Sequence, residues 1–490
     1  MPTSQLRPTQ GVRSAGPPGR RPRISTVVAG GAILLLAVGL LARFALADSG
    51  DPSGSGNPVM SASSASSAPS ASLAPSASGG SGGTSGATAA IVKAQALLRR
   101  IPDDPRALTD LGLAYLARAH ETADPSFYVK AEQALARSDA LAPHDLRTMV
   151  GTGLLRLSRH EFDSALELGL ATTARYPDSA EALGLVVDAQ VELGRYPAAV
   201  ASAQAMLDRR PDIASLARIS YLRELYGDQD GAIAAMIEAR SAGSGSPTDL
   251  AYVSGLLGDL FRARGKFDEA ATAYRDALHS VPRYSPAQVG LARVDAARGD
   301  LAKAARRLEP VASRTPLPET LALYGDVLTA LGRPIEAAQL YERVRAAEAR
   351  ERASGVEVDL ESAHFEADHA RDPGGRPAHA VEMAREALAG RPTVYGHDTL
   401  AWALRQAGSP ARALPEADAA LALGTRDAVL YYHRAAIRAD LGRRAAAAAD
   451  LRTAFSICPA LLSSSPSLSI RDLSAARALA RRLGVPVPAV

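Results

Sequence analysis

A fixed spacing of about 34 residues is the feature that most constrains the fold of this chain. Three prolines lie 34 residues apart, at Pro143, Pro177 and Pro211. Glycines keep nearly the same spacing, at Gly194, Gly227, Gly265, Gly299, Gly332, Gly408 and Gly442. Such a period indicates a repeat array in which each unit is one helical hairpin. One hairpin cannot bury its own apolar face, so the units must stack. The sequence therefore predicts an all-α solenoid.

The period also predicts where the helices lie. About ten units fit the repeat arithmetic. Their first helices are expected near residues 105–117, 146–158, 180–193, 213–226, 251–264, 285–298, 318–331, 356–371, 394–407 and 428–441. The second helices follow glycine-containing turns, because a left-handed backbone is most easily adopted by glycine.

The clearest unit, residues 251–282, shows which family the array resembles. It carries small residues at Gly258 and Ala270, a large aromatic residue at Tyr274 and a helix-stopping proline at Pro282. These residue types at these offsets resemble the tetratricopeptide repeat. The resemblance covers residues 104–460. It implies a right-handed superhelix whose first helices line a concave groove, and a function in binding protein or peptide partners.

Three places depart from the period. Extra residues enter the first unit at 120–127, and a Ser/Gly-rich loop at 241–247 follows the fourth unit. The second helix of the seventh unit is expected to continue from Pro334 towards Gly355, with alternating charges that are typical of a solvated helix. A bend near 345–375 and one continuous superhelix both stay open.

The N-terminal region predicts where the array is located. Residues 1–23 carry five arginines and no acid, and residues 24–47 are nearly all apolar. An apolar stretch of about 20 residues is long enough to span a bilayer as a helix. Arginines before the stretch place the N-terminus in the cytoplasm and the array outside. The alternative is a signal peptide cleaved after Ala47, which would release the protein.

Composition gives the remaining boundaries. Residues 48–87 are almost entirely Ser, Ala, Gly and Pro, which predicts a disordered linker. The repeat array is then assigned to residues 88–460, and residues 461–490 form a tail with a capping helix near 470–484. The chain has 55 basic residues but only four lysines. This arginine- and alanine-rich composition resembles proteins of high-GC bacteria, including actinobacteria.

The charge distribution argues against nucleic-acid binding. The whole chain has a net charge of +3, but six arginines lie within residues 1–47. Without them the outer part has a net charge of about −3, and it shows no basic stripe of the kind that nucleic-acid binders carry.

Signals for catalysis, metals and cofactors are weak. His364 and His369 are five residues apart, whereas a two-histidine metal face needs a spacing of four. Cys458 is the only cysteine, which excludes an internal disulfide, and it is expected to be a small buried residue. We therefore predict no enzyme, no metal and no cofactor.

The predicted binding site is the concave groove. The resemblance to tetratricopeptide repeats assigns its lining to positions on the first helices: Asp188, Glu192, Tyr221, Glu224, Tyr252, Asp259, Arg262, Arg293, Asp326, Trp402 and Arg405. The central units are acidic and rich in tyrosine, which favours a partner segment with Arg or Lys beside apolar residues. Trp402 is the exception, since packing between hairpins is the more common role of such a residue.

The sequence thus predicts a membrane-tethered, extracytoplasmic scaffold or adaptor for protein partners. Two alternatives remain: an envelope assembly or secretion factor, and a secreted ligand-binding solenoid.

Overall fold

The computed structural model describes residues 86–242, 246–356, 360–372, 374–462 and 473–488. The predicted cytoplasmic tail, the apolar segment 24–47 and the linker up to residue 85 lie outside the described residues, so they stay predictions. Within the described ranges, no helix is both long and apolar enough to cross a membrane.

The described part of the chain contains 22 α-helices and no strand. In chain order they are α1 (Gly86–Arg100), α2 (Pro105–Thr122), α3 (Ser126–Leu141), α4 (Leu146–Ser158), α5 (Phe162–Arg175), α6 (Ala180–Glu192), α7 (Tyr196–Arg209), α8 (Ile213–Leu225), α9 (Gln229–Ala242), α10 (Pro247–Ala263), α11 (Phe267–Ser280), α12 (Ser285–Ala297), α13 (Leu301–Arg314), α14 (Pro318–Ala330), α15 (Pro334–Ala353), α16 (Leu360–Asp368), α17 (Pro377–Gly390), α18 (Val394–Gln406), α19 (Pro410–Ala420), α20 (Ala428–Asp440), α21 (Arg444–Ile457) and α22 (Leu473–Leu483). Helices α2 to α21 form ten consecutive hairpins, called units one to ten below.

Local sequence explains where these helices begin and end. Several first helices start after a side chain that caps the free amides: Asp145 accepts a hydrogen bond from the amide of Thr148 at 3.0 Å, and Ser179 accepts one from the amide of Ala182 at 3.1 Å. Within the hairpins, the turn glycines that carry the 34-residue period adopt positive φ, for example 64° at Gly194. The 34-residue spacing in the sequence therefore reflects the turn that recurs once in each hairpin.

One departure from the period, the long second helix of unit seven, appears where it was predicted, whereas part of the loop at 241–247 lies outside the described residues. Helix α15 has 20 residues, so the second helix of unit seven is the long one. The next first helix, α16, is described from Leu360 to Asp368, and residues 357–359 at the start of its predicted range lie outside the described residues. At the two ends of the array, α1 packs on α2 and α22 packs on α21. These helices cover the outer faces of the terminal units.

Stacking depends on large side chains that fill the space above small ones. Tyr274 is fully buried, with its ring against Gly258 of its own unit and Gly290 of the next. A Cβ atom at either glycine would lie closer than 3.0 Å to the ring. Tyr341 packs on Gly325 in the same way two units later. The small residues expected at helix crossings are thus explained by an aromatic neighbour.

The first helices form the inner layer of the curve. Most first helices contact the first helix of the next unit in addition to their neighbours in sequence. Examples are α4 with α6 and α10 with α12. The second helices make no comparably extensive contact with one another among the described residues. Elements on the inside of a curve lie closer together, so the first helices are on the inside.

The array also closes on itself, which the repeat period did not predict. Arg391 forms an ion pair with Glu192, and the amide of Val394 donates a hydrogen bond of 2.9 Å to the hydroxyl of Tyr196. One unit further on, Nε2 of Gln229 donates to the carbonyl of Arg426 at 2.9 Å. These partners are 197 to 199 residues apart.

We call this junction the seam: residues 192–196, 229 and 265 on one side, and residues 391–395, 426–427 and 458–460 on the other. At its far end, a Cβ atom on Gly265 would lie 3.3 Å from Sγ of Cys458. Between the ends, Val394, Leu421 and Leu430 belong to the same buried apolar cluster as α6 to α10. Turns inside units three to five therefore face turns that flank units nine and ten.

Candidate binding site

The predicted groove residues all lie on first helices, and the structure divides them into three groups. One group is buried in ion pairs, another holds hairpins together, and a third keeps unpaired polar atoms on the inner side of units four to six.

Asp188 and Glu192 form the buried group. Both carboxylates are only 2% exposed. Asp188 accepts two hydrogen bonds, of 2.7 and 2.5 Å, from the equally buried guanidinium of Arg218. Glu192 is bound by Arg391 across the seam. In the closed array the carboxylates of Asp188 and Glu192 are therefore neutralised by arginines of the same chain.

Asp326, Trp402 and Arg405 link neighbouring hairpins. Asp326 accepts a 2.8 Å hydrogen bond from the hydroxyl of Tyr341 within unit seven, and it lies 3.2 Å from Nε2 of His369, which follows α16 of unit eight. Trp402 is 7% exposed, donates from Nε1 to Asp368 at 2.7 Å and stacks on the ring of His433, with centroids 3.9 Å apart. The guanidinium of Arg405 lies 4.8 Å from the centroid of the Trp402 ring and pairs with Asp440 at 2.8 Å. Trp402 has the packing role that was considered the more common one.

The third group includes polar atoms without a partner among the described residues, and we call it the central cluster: Tyr221, Glu224, Tyr252, Asp259, Arg262 and Arg293. It spans the first helices α8, α10 and α12. Asp259 is its best-satisfied member, because it accepts a 2.8 Å hydrogen bond from Tyr274 and pairs with Arg262 at 3.3 Å.

Several polar atoms of the central cluster have no partner among the described residues. They are Oη of Tyr252, Nε of Arg262 and Nε of Arg293, all of them buried. Arg293 forms no ion pair in the described part of the chain, and burial together with the neighbouring charge of Arg262 lowers its pKa. Buried polar groups are nearly always hydrogen-bonded in folded proteins, so each of these three atoms is an exception to that rule.

Glu224 is the acidic counterpart of these unpaired donors. Its side chain is 8% exposed and, within the described ranges, forms neither a hydrogen bond nor an ion pair. Burial raises the pKa of Glu224 well above its usual range, and the charges of Asp259 and Asp427 raise it further. Asp427 belongs to the other side of the seam, so two distant parts of the chain build this environment.

Sequence reasoning missed the residues that the seam contributes, namely Arg391, Val394, Tyr395 and Asp427. Tyr395 packs against the apolar cluster of α6 to α10, and its buried hydroxyl has no hydrogen-bond partner among the described residues. No local pattern marks these positions, because their partners are nearly 200 residues away.

The histidines and the cysteine considered for metal binding or reactivity are buried or contact other residues. In the described ranges, no three His, Cys, Asp or Glu side chains are grouped so that they could hold a metal ion. Nδ1 of His369 lies 2.7 Å from the carbonyl of Phe365, and His364 contacts Thr399. Cys458 is buried as expected, and burial raises the pKa of its thiol to about 11, so the reactive thiolate is scarce at neutral pH.

Comparison with known proteins supports the repeat interpretation. Residues 150–214 and residues 261–327 each match a family model described as tetratricopeptide repeat. The chain therefore contains tetratricopeptide repeats, as the unit at 251–282 suggested. No curated protein matches the chain.

Several solved structures of helical repeat proteins are also similar. A thermophilic TPR protein of Thermus thermophilus is 20% identical, with 39% of this chain and 98% of that chain covered and a TM-score of 0.35. A tetratricopeptide repeat protein from Parabacteroides merdae is 16% identical, with coverages of 49% and 97% and a TM-score of 0.36. The human IFIT1 dimer with PPP-AAAA is 13% identical, with coverages of 69% and 78% and a TM-score of 0.43.

Proposed function

We propose that this tetratricopeptide-repeat protein is a non-enzymatic scaffold that binds an extended or helical segment of a partner protein on the inner side of units four to six. The observation that carries the proposal is the central cluster, where Tyr252, Arg262 and Arg293 keep buried polar atoms without a partner among the described residues. An unsatisfied buried polar group costs about 1–3 kcal/mol. A partner segment that supplies the missing hydrogen bonds would recover part of that cost.

The charges of the central cluster suggest the chemistry of the segment. Glu224 carries an unpaired carboxyl group at one end, and Arg293 carries an unpaired guanidinium at the other, as far as the described residues extend. The tyrosines between them offer apolar ring faces. A segment with an Arg or Lys at the Glu224 end, apolar residues in the middle and a carbonyl or carboxylate at the Arg293 end complements this surface.

Because the array is closed, some of the predicted groove residues are unsuitable for a mutational test of this function. Charge reversal at Asp188 or Glu192 would break buried ion pairs, so any loss of binding would be confounded with unfolding. The informative variant combines Tyr252→Phe, Asp259→Asn and Arg293→Gln, which remove a hydroxyl group and two charges without adding volume. The matched control combines Glu269→Gln, Arg275→Gln and Asp276→Asn, which change exposed residues of the second helix α11.

The test is a crosslinked pull-down of the full-length protein from its native membrane or culture fraction, with identification by mass spectrometry. We expect a recurrent protein partner that the inner-side variant loses and the α11 control retains. Capture that is equal for both variants would move the binding surface away from the central cluster. Failure to capture any protein above an unrelated tethered control would refute the scaffold function.

The location of the scaffold is a second part of the proposal. Residues 24–47 support a single membrane anchor with the array outside the cytoplasm, because arginines precede the apolar stretch and the acids Asp48 and Asp51 follow it. N-terminal sequencing of the mature protein tests this. A chain that starts at Asp48 would show cleavage and secretion instead of anchoring. An envelope assembly or secretion factor is the version of this scaffold in which the partner belongs to the envelope machinery.

A further inference from the structure

The seam brings together polar side chains that no single hairpin contains. Tyr221 and Glu224 lie on α8, whereas Tyr395 lies on α18 and Asp427 precedes α20. Tyr221 and Val394 are buried in one apolar cluster, and Tyr395 packs against it. The hydrogen bond from Gln229 to the carbonyl of Arg426 places the residue before Asp427 against the start of α9. The seam therefore holds these four side chains around one location.

Three of these groups are buried without polar partners. Tyr221 is 7% exposed and Glu224 is 8% exposed, and neither side chain forms a hydrogen bond or ion pair within the described residues. The hydroxyl of Tyr395 is buried and also has no partner there. Burial raises the pKa of Tyr395 well above its usual value, and the nearby charges of Asp427 and Glu224 raise it further.

The location has more acidic than basic groups. Arg262 and Arg391 are nearby cations, but Arg262 is paired with Asp259 at 3.3 Å and Arg391 is paired with Glu192. Asp427 accepts a 2.7 Å hydrogen bond from the amide of Val429 and has no cationic partner in the described ranges. Glu224 has none either. Two carboxyl groups are thus available to a cation, beside aromatic rings whose faces attract positive charge.

We propose that the seam is a binding site for a guanidinium group, held between Glu224 and Asp427 with Tyr221 and Tyr395 as its aromatic neighbours. The inference rests on the scaffold function proposed above, and it identifies the group as an arginine side chain of the partner segment. A planar guanidinium presents five donors, which suits two carboxylates and two phenolic oxygens. A metal ion is a poorer fit, because no suitable group of three ligands exists in the described part of the chain.

Ligand binding at this site can be measured through the reactivity of a cysteine. Cys458 is the only cysteine of the chain, is buried, and lies at the far end of the same seam. A thiol reagent reacts with it only when that end opens. A ligand that bridges the two sides of the seam stabilises the closed form and slows labelling in proportion to its occupancy.

The experiment measures Cys458 labelling of the full-length protein with the amide of N-acetyl-arginine, and with the amide of N-acetyl-citrulline as the neutral isostere. We expect the arginine compound to slow labelling at least threefold at saturation and the citrulline compound to have no effect. Glu224→Gln and Asp427→Asn should each abolish the protection. Asparagine preserves the helix cap at position 427. Glu238→Gln, which changes an exposed residue on α9, should retain it.

The outcomes separate this inference from the scaffold function. Equal labelling with the arginine and citrulline compounds, or full protection in Glu224→Gln, overturns the guanidinium site. If the site fails in this way while the partner is still captured through the central cluster, the scaffold function stands without it. Protection by the N-acetyl-lysine amide equal to that by arginine would also overturn the guanidinium assignment, because it would show a site for any cation.

Discussion

Substitution of Gly194 tests directly whether the seam is closed in solution. Gly194 has φ of 64°, and an added Cβ atom would lie much closer than 3.0 Å to the carbonyl oxygen of Pro392. Real Cβ contacts are essentially never shorter than 3.0 Å, so Gly194→Ala must push the two sides of the seam apart. The matched control is Gly332→Ala, because Gly332 has φ of 74° and nothing among the described residues within 4 Å of the added atom.

The two variants share one cost and differ in another. Both place alanine in a left-handed conformation, which costs about 1–2 kcal/mol. Only Gly194→Ala adds the clash with Pro392, and overpacking of this kind typically costs about 1–3 kcal/mol. Because the clash exists only while the seam is closed, the extra cost shifts the equilibrium towards the open form. A shift of about 1–3 kcal/mol corresponds to about a 5- to 150-fold increase in the open fraction.

The sole thiol reports this change. When opening and closing are fast, the labelling rate of Cys458 follows the population of the open form. We expect Gly194→Ala to raise that rate by the factor above and Gly332→Ala to leave it near the wild-type value, with helix content unchanged by circular dichroism. Equal rates in the two variants would refute the reasoning, since they would show that residues 194 and 392 do not meet or that the two ends of the seam open independently.

Three further predictions concern other parts of the array. Burial raises the pKa of Glu348 and Glu351 to about 7 from 4.5, so their stabilising protonated form is complete below pH 4.5 and lost as the pH rises through 7. For Glu348 this pKa shift corresponds to a loss of at most about 3 kcal/mol in the free energy of unfolding. The denaturant midpoint of Glu348→Gln should therefore fall less between pH 5 and pH 8 than that of the wild type. Midpoints that fall equally with pH in the two proteins would contradict this. Trp402→Ala should lower the stability by about 3–5 kcal/mol and Trp402→Phe by less, and an unchanged denaturation midpoint for alanine would place the ring outside the core. Asp188→Asn should cost about 3–5 kcal/mol because it leaves a buried guanidinium without its ion pair, whereas the double replacement Asp188→Leu with Arg218→Met should recover much of the loss; a mild single variant would show that the pair is hydrated.

The repeat period predicted the hairpins because it records local requirements. Each turn needs a residue that tolerates positive φ, and Gly194 and Gly265 supply it. Each crossing needs a small residue beneath a large one, as Tyr274 shows against Gly258. Turns and crossings recur with every unit, so the sequence alone was enough to locate the first helices to within a few residues.

The candidate site was predicted only in part, since the period does not say which inner residues stay available. Asp188 and Glu192 have the positions of groove residues, yet their carboxylates are buried against Arg218 and Arg391. Nothing near Glu192 in the sequence distinguishes it from Glu224, which has no such partner among the described residues. The difference depends on where Arg391 lies in space.

By itself, the sequence determined the all-helical repeat architecture, because helix propensity, capping and turn conformation act over a few residues. Only the tertiary structure decided that the array closes after about 197 residues, as the contact between Gln229 and Arg426 shows. Closure depends on the sum of the small rotations between successive units, taken over about six units. No single residue encodes that sum, and the groups around Glu224 and Tyr395 become one site only once it is complete.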